Sequence, residues 1–328
     1  MKTLRLSQSK EDLKIAADIL KNGGLVAFPT ETVYGLGASI AKDDAILNIF
    51  KAKNRPHDNP LIVHVCNQEQ LRIYAKEVSQ DAKMLMKKFW PGPLTMIFKN
   101  TNKVKKIVNP NNEVAIRMPS HAVAKELIRL AGPIVAPSAN TAGKPSPTNS
   151  TDVLADMDGK IDAVIEGKSD CGLESTVLEV KNKPFILFRA GAVTLEQLRE
   201  VLGEKNVTVF KKKEGEEVIA RSPGMKYRHY SPNAKIILFN GSLKDFEKLI
   251  KEKKNVGLIC GEKIILPKAN KIVQFNYPSK KVFAENLFSW FREMDSLNVK
   301  VIYVKSVTEK GIGRALMDRI KKAASQEI

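Results

Sequence analysis

Gly24-Leu25-Val26-Ala27-Phe28-Pro29, followed by Thr30-Glu31-Thr32-Val33-Tyr34-Gly35-Leu36-Gly37, is the stretch on which the fold turns. The first half is a short apolar run that reads as a buried strand. The second half is rich in hydroxyls and glycine and reads as a turn whose backbone can approach a ligand closely. Ala45, Ile46, Ile49 and Phe50 then predict a helix. It runs into a basic loop, Lys53-Asn54-Arg55-Pro56-His57-Asp58-Asn59-Pro60. Strand, polar turn, helix and cationic loop together suit a small polar ligand with a phosphate, whose charge Lys53 and Arg55 can carry.

Upstream, Ser9 and Asp12 form a weak capping box for a helix through Ala16, Ala17, Ile19 and Leu20, which Gly23-Gly24 stops. Downstream, Leu61–Val65 reads as a buried strand carrying His64, and Leu94–Phe98 as another. Val114-Ala115-Ile116-Arg117 is a short strand ending in arginine, and Pro133–Pro137 leads as a strand into Ser138-Ala139-Asn140. Thr141–Ser150, dense in Gly, Pro, Ser and Thr, predicts a mobile loop. Further strands fall at Asp162–Ile165, Ser175–Val180 and Phe185–Phe188, the last followed by Arg189, with a helix at Leu195–Leu202. The irregular alternation implies an α/β domain over residues 1–205, with a mixed sheet flanked by helices. From residue 234 the alternation becomes regular: strands at 234–239, 256–260 and 301–304, helices at 243–253, 282–294 and 315–324. That pattern predicts a smaller, Rossmann-like parallel α/β domain over 234–328. Gly311-Ile312-Gly313 reads as helix-start geometry there. Residues 206–233 between the domains read as a linker or, given Tyr227, His229 and Tyr230, as a cover over a cleft.

The formal charge of +18 is unevenly spread. Residues 1–205 hold 29 Lys and Arg against 23 Asp and Glu, whereas 206–328 hold 25 against 13. The excess thus lies mainly away from the motifs, and a solvated lysine-rich surface fits it better than an RNA stripe. A non-enzymatic RNA-binding or ribosome-assembly protein is nonetheless the alternative the charge suggests. Cys66, Cys171 and Cys260 are too scattered for zinc or a disulfide framework, which fits a reducing cytoplasm. No apolar run approaches a membrane span, and Met1-Lys2-Thr3-Leu4-Arg5 lacks the core of a signal peptide.

No Walker loop, metal cluster or nucleophile elbow is present, so the chemistry implied is positioning and charge neutralisation. Arg117 suits a ligand carboxylate, or equally a structural Asp or Glu. Arg189 has the same two readings. His64, Ser138, Asn140 and Ser175 each suit either a ligand contact or a local hydrogen bond.

Pro29-Thr30-Glu31-Thr32-Val33-Tyr34-Gly35-Leu36, Lys53-x-Arg55-Pro56, Asn59-Pro60-Leu61 and Pro137-Ser138-Ala139-Asn140 resemble the YrdC-like domain of threonylcarbamoyl-AMP synthases. Residues from Ser222 on resemble the two-domain form of that family. The resemblance covers nearly the whole chain. It implies a nucleotidyltransferase that joins L-threonine, bicarbonate and ATP into threonylcarbamoyl-AMP and pyrophosphate, with Mg2+ bound with ATP. It also implies a downstream threonylcarbamoyl-transferase complex acting on tRNA, and direct tRNA binding is not required. By the same resemblance Thr32, His64, Arg117, Ser138 and Ser175 contact L-threonine. Lys53, Arg55, Asn59, Asn140, Thr148 and Arg189 face the nucleotide, Lys53 and Arg55 as the catalytic pair, and Tyr230 reaches it from the covering segment. Glu113 departs from the pattern, standing where a small hydroxyl residue is usual. A carbamoyl-handling enzyme of hydrogenase maturation is disfavoured by the lack of zinc-finger cysteines and by the two-domain length.

Overall fold

The computed structural model describes residues 2–211 and 229–328, which form two compact units. Of the segment 206–233 read as a linker or cover, residues 212–228 lie outside the described part.

The first unit comprises residues 2–142 and 146–211. Its centre is a twelve-stranded mixed sheet. The strand order is Leu4–Leu6, Ala163–Ile165, Val26–Phe28, Gly35–Ser39, Ile134–Val135, Ile62–His64, Glu113–Arg117, Leu94–Asn100, Thr176–Glu179, Phe185–Arg189 and Val207–Val209. Ala75–Lys76 adds to Leu94–Asn100 from the side. The helix Lys10–Lys21 begins as its cap predicts: the Asp12 N–H donates to Ser9 Oγ at 3.1 Å. It buries Leu13, Ala16, Ala17 and Leu20, and the chain leaves it through Gly23 at φ +92°.

Three local readings are corrected. The stretch expected to be a turn through Gly37 becomes a strand at Gly35, paired antiparallel with Val26–Phe28. Its glycines serve packing: a Cβ on Gly35 or Gly37 would come within 3.1 Å of the Phe28 ring. Ser150–Met157 is a helix, capped by Asn149, which accepts from the Asp152 N–H at 2.8 Å. The polar run before it is therefore partly a helix start. Within Thr141–Ser150, Ser146 and Thr148 are buried. Finally, Val207–Val209, inside the stretch read as linker, pairs parallel with Phe185–Arg189 and extends the sheet.

The second unit, residues 143–145 and 229–328, holds a five-stranded, all-parallel sheet. Its order is Val273–Asn276, Gly257–Cys260, Val301–Lys305, Lys235–Phe239 and Ala324–Glu327. Three of these strands follow the sequence pattern, and Val273–Asn276 and Ala324–Glu327 add to them. Helices Leu243–Lys251, Lys280–Ser296 and Gly313–Ala323 cover the sheet, burying Phe246, Phe283, Phe288, Phe291, Leu316 and Ile320. Gly313 opens the last helix, and a Cβ there would lie 2.1 Å from the Thr308 carbonyl oxygen. No helix among the described residues is long and apolar enough to cross a membrane.

Candidate functional site

The turn Thr30–Tyr34 is tied on several sides within the first unit. The Ala139 N–H donates to Tyr34 O at 2.9 Å, and the Tyr34 N–H donates to Pro147 O at 2.9 Å. The Cys171 N–H donates to Glu31 O at 2.7 Å, and Gly35 forms a bridge with Ser138. The turn thus gathers three later loops, bringing Ser138, Asn140 and Thr148 towards one region. Inside it, Thr30 Oγ1 lies 2.8 Å from Thr32 Oγ1 and donates to Val33 O at 2.7 Å. Thr32 is fully buried.

Beside the turn, neighbouring strands set a row of polar side chains. His64 and Arg117 are register partners on parallel strands, and Arg117 is the antiparallel partner of Thr95. Thr95 Oγ1 lies 2.7 Å from Ser175 Oγ. Arg189 donates from Nε to Ser175 O at 3.0 Å and from Nη2 to Ser175 Oγ at 3.2 Å. His64, Arg117, Ser175 and Arg189, predicted singly, therefore form one buried row at the ends of adjacent strands.

Arg117 has a carboxylate partner within the protein, Glu31, with Nη2 2.7 Å from Oε1 and both side chains buried. Its Nη2 also lies 3.4 Å from Thr30 Oγ1. Burial raises the Glu31 pKa, but the Arg117 charge and hydrogen bonding outweigh it and hold the carboxyl below its ordinary value. The backbone N–H groups of Glu31 and Ser120 favour the ionised form without completing hydrogen bonds of ordinary geometry. His64 is buried, with Nδ1 3.2 Å from Ile62 O. Burial first, then the Arg117 charge, depress its pKa to about 3, so its ring is neutral near pH 7.

The second group surrounds Lys53. This residue ends the helix Asp43–Lys53 and does not stand free in the loop beyond. It is 1% exposed and donates from Nζ to Ser138 O at 2.5 Å and to Asn140 O. Burial, then the Arg55 charge, push its pKa well below the usual lysine value. Arg55 is anchored in the same way, with Nη2 donating to Asn59 O at 3.2 Å and Pro60 O at 3.0 Å. Asn59 and Thr148 are buried, and Asn140 donates from Nδ2 to Thr141 O at 2.8 Å.

Glu113 stands at the opposite end of its strand from Arg117 and pairs with Lys181, which also reaches Glu179 at 3.3 Å. Tyr230 belongs to the second unit, where its ring stacks on Phe288 at 5.3 Å and under the Arg319 guanidinium at 5.2 Å. Sequence reasoning assigned no role to Glu31, Thr30 or Thr95. The available signal was Glu31 itself, a carboxylate between two threonines in the motif turn.

Residues 18–191 match the Sua5, YciO and YrdC family model, described as telomere recombination. Residues 193–325 match the model for the threonylcarbamoyl-AMP synthase C-terminal domain. The chain is 42% identical to threonylcarbamoyl-AMP synthase of Pyrococcus abyssi, over 96% of this chain and 95% of that protein. It is 39% identical to the Bacillus subtilis protein of the same name, over 99% and 96%. Among solved structures, P. abyssi Sua5 complexed with L-threonine superposes with a TM-score of 0.91 at 39% identity, covering 100% of both chains. The two models divide the chain much as the two sheets do, and the matches run nearly end to end. The chain therefore belongs to the threonylcarbamoyl-AMP synthase family, in its two-domain, Sua5-type form.

Proposed function

We propose that the first unit makes threonylcarbamoyl-AMP from L-threonine, bicarbonate and ATP, releasing pyrophosphate. The observation that carries this reading is the buried row of His64, Arg117, Ser175 and Arg189 beside the Thr30–Tyr34 turn. The similarity to P. abyssi Sua5, whose crystal structure is a complex with L-threonine, supports it.

In this reading Arg117 holds the threonine carboxylate, and Thr32, neutral His64, Ser138 and Ser175 orient the amino acid. A neutral imidazole can accept or donate one hydrogen bond without adding charge beside Arg117. The threonine ammonium gives up a proton to solvent, and the freed amine nitrogen attacks the carbon of bicarbonate, giving a carbamate and water. A carbamate oxygen then attacks the α-phosphorus of ATP, and pyrophosphate leaves. Catalysis rests on alignment and on neutralising phosphate charge. Arg55 and Arg189 supply fixed positive charge, with Asn59, Asn140 and Thr148 on the nucleotide side. Lys53 acts from beneath: it anchors the Ser138–Asn140 segment, and an arriving triphosphate would favour its charged form. Among the described residues no three His, Cys, Asp or Glu side chains converge to hold a metal. Mg2+ would enter with the ATP phosphates, as its preference for phosphate oxygen and water allows, and share their charge. The product would pass to a threonylcarbamoyl-transferase complex acting on tRNA in the cytoplasm.

The test is pyrophosphate release with threonine, bicarbonate or ATP omitted one at a time. Release should require all three. Release that ignores threonine and bicarbonate overturns the reading. A narrower expectation is that Arg117→Ala raises the threonine requirement far more than the ATP requirement.

A further inference from the structure

A buried arginine and a buried carboxylate that served only each other should be closed by paired hydrogen bonds, because each unpaired polar atom left inside is costly. The Glu31–Arg117 pair is not closed in this way. It meets through Nη2 and Oε1. Arg117 Nε and both Glu31 carboxylate oxygens are buried and complete no hydrogen bond of ordinary geometry, the backbone N–H groups of Glu31 and Ser120 favouring the carboxylate charge without closing it off. Arg117 is 5% exposed and Glu31 6%. The pair therefore retains a donor on Arg117 and acceptor capacity on the Glu31 carboxylate, of opposite charge, on adjoining side chains.

A free α-amino acid carries that pattern in reverse. Its carboxylate and ammonium sit on a single carbon, so a site that takes the first on an arginine must offer an acceptor for the second close by. Glu31 touches Arg117 and is held in place by the turn, whose Glu31 carbonyl accepts from the Cys171 N–H. The hydroxyls of Thr30 and Thr32 are engaged with each other and with Val33 O, leaving the carboxylate as the charged acceptor of this turn.

We propose that Glu31 binds the α-ammonium of the amino-acid substrate while Arg117 binds its carboxylate, so that the pair recognises a free α-amino acid and rejects the matching hydroxy acid. This rests on the reading that Arg117 holds the threonine carboxylate. Arg117 alone would accept any small carboxylate, whereas the Glu31 carboxylate adds a requirement for a positive neighbour.

The experiment is calorimetric binding to the full-length chain of L-threonine and of the analogue whose amine is replaced by hydroxyl. Wild type should prefer threonine roughly 10- to 100-fold, the range of one charge-assisted hydrogen bond. Glu31→Gln keeps the shape and should abolish that preference while leaving ATP binding unchanged, and Glu31→Asp should restore part of it. Wild type binding the two compounds equally overturns the proposal without any variant. So does a Glu31→Gln protein that retains the preference. If Arg117→Ala binds threonine as wild type does, the underlying reading of the site fails. If Arg117→Ala loses threonine and Glu31→Gln keeps full discrimination, only the Glu31 proposal fails.

Discussion

Lys53 donates from Nζ to the carbonyl oxygen of Ser138 at 2.5 Å, and to that of Asn140. A lysine in a phosphate-binding motif is expected to face its anion, but this one is 1% exposed and holds the backbone of the neighbouring motif. Lys53→Met keeps most of the buried volume and leaves two carbonyls without their donor. It should lower unfolding free energy by about 1–3 kcal/mol, as read by urea denaturation. Affinity for threonine and for ATP should fall together, because Ser138 and Asn140 belong to opposite sides of the proposed site. A change confined to the ATP requirement, with stability intact, would show that Lys53 acts as a simple phosphate ligand.

Much of this arrangement was legible in the sequence where the signal was local. Ser9 capping an apolar-periodic run located Lys10–Lys21, and regular alternation located most of the second sheet. The errors arose where one residue type serves two ends. Gly35 and Gly37 read as turn residues, but they make room for Phe28 across a strand pair. Asn149 read as loop composition, but it caps a helix. Strand Ala324–Glu327 is mostly exposed and carries no apolar alternation. At the site, Arg117 announced itself as an arginine ending an apolar strand. Its partner could not be chosen, because Glu31 reaches it only through the sheet. The burial of Lys53 is likewise a tertiary property, invisible in Lys-x-Arg.

His64 gives the native state a pH dependence of known sign. Its folded pKa lies near 3, against an ordinary value of 6.5. Below 6.5 the unfolded chain takes up a proton that the folded chain refuses. The contribution is therefore fully present above 6.5 and is lost as pH falls from there towards 3. Between about pH 7.5 and pH 5.5 this amounts to ~1.4 kcal/mol. Urea unfolding of wild type and His64→Gln at those two pH values should show wild type losing that much more. Parallel losses would mean that His64 is not held neutral in the fold.

Gly191 has a steric duty directly behind Ser175. A Cβ there would lie 2.4 Å from the Thr176 nitrogen, 2.6 Å from Glu174 O and 2.7 Å from the Ser175 carbonyl carbon. All three are backbone atoms, so the strand start itself has to move. Gly191→Ala should cost about 1–3 kcal/mol in stability. It should also raise the threonine requirement, since Ser175 Oγ would leave its 2.7 Å contact with Thr95. A variant with wild-type threonine dependence would remove Ser175 from the amino-acid site.

Glu113 departs from the family pattern, yet its charge has a local answer. Lys181 pairs with it and with Glu179, and all three side chains are largely buried. Glu113 also sits four residues from Arg117 along an extended strand, roughly 13 Å away. A neutralised carboxylate at that distance should exert little force on a triphosphate beside Arg189. Glu113→Ala should therefore leave the ATP requirement within about two-fold of wild type, a difference below ~0.5 kcal/mol. Lys181→Met is the contrasting variant, because it strands two buried carboxylates together. It should destabilise the fold by about 3–5 kcal/mol in urea denaturation. If Glu113→Ala instead lowers the ATP requirement several-fold, the carboxylate does repel the nucleotide, and the phosphates must lie nearer this end of the strand than the arginines imply.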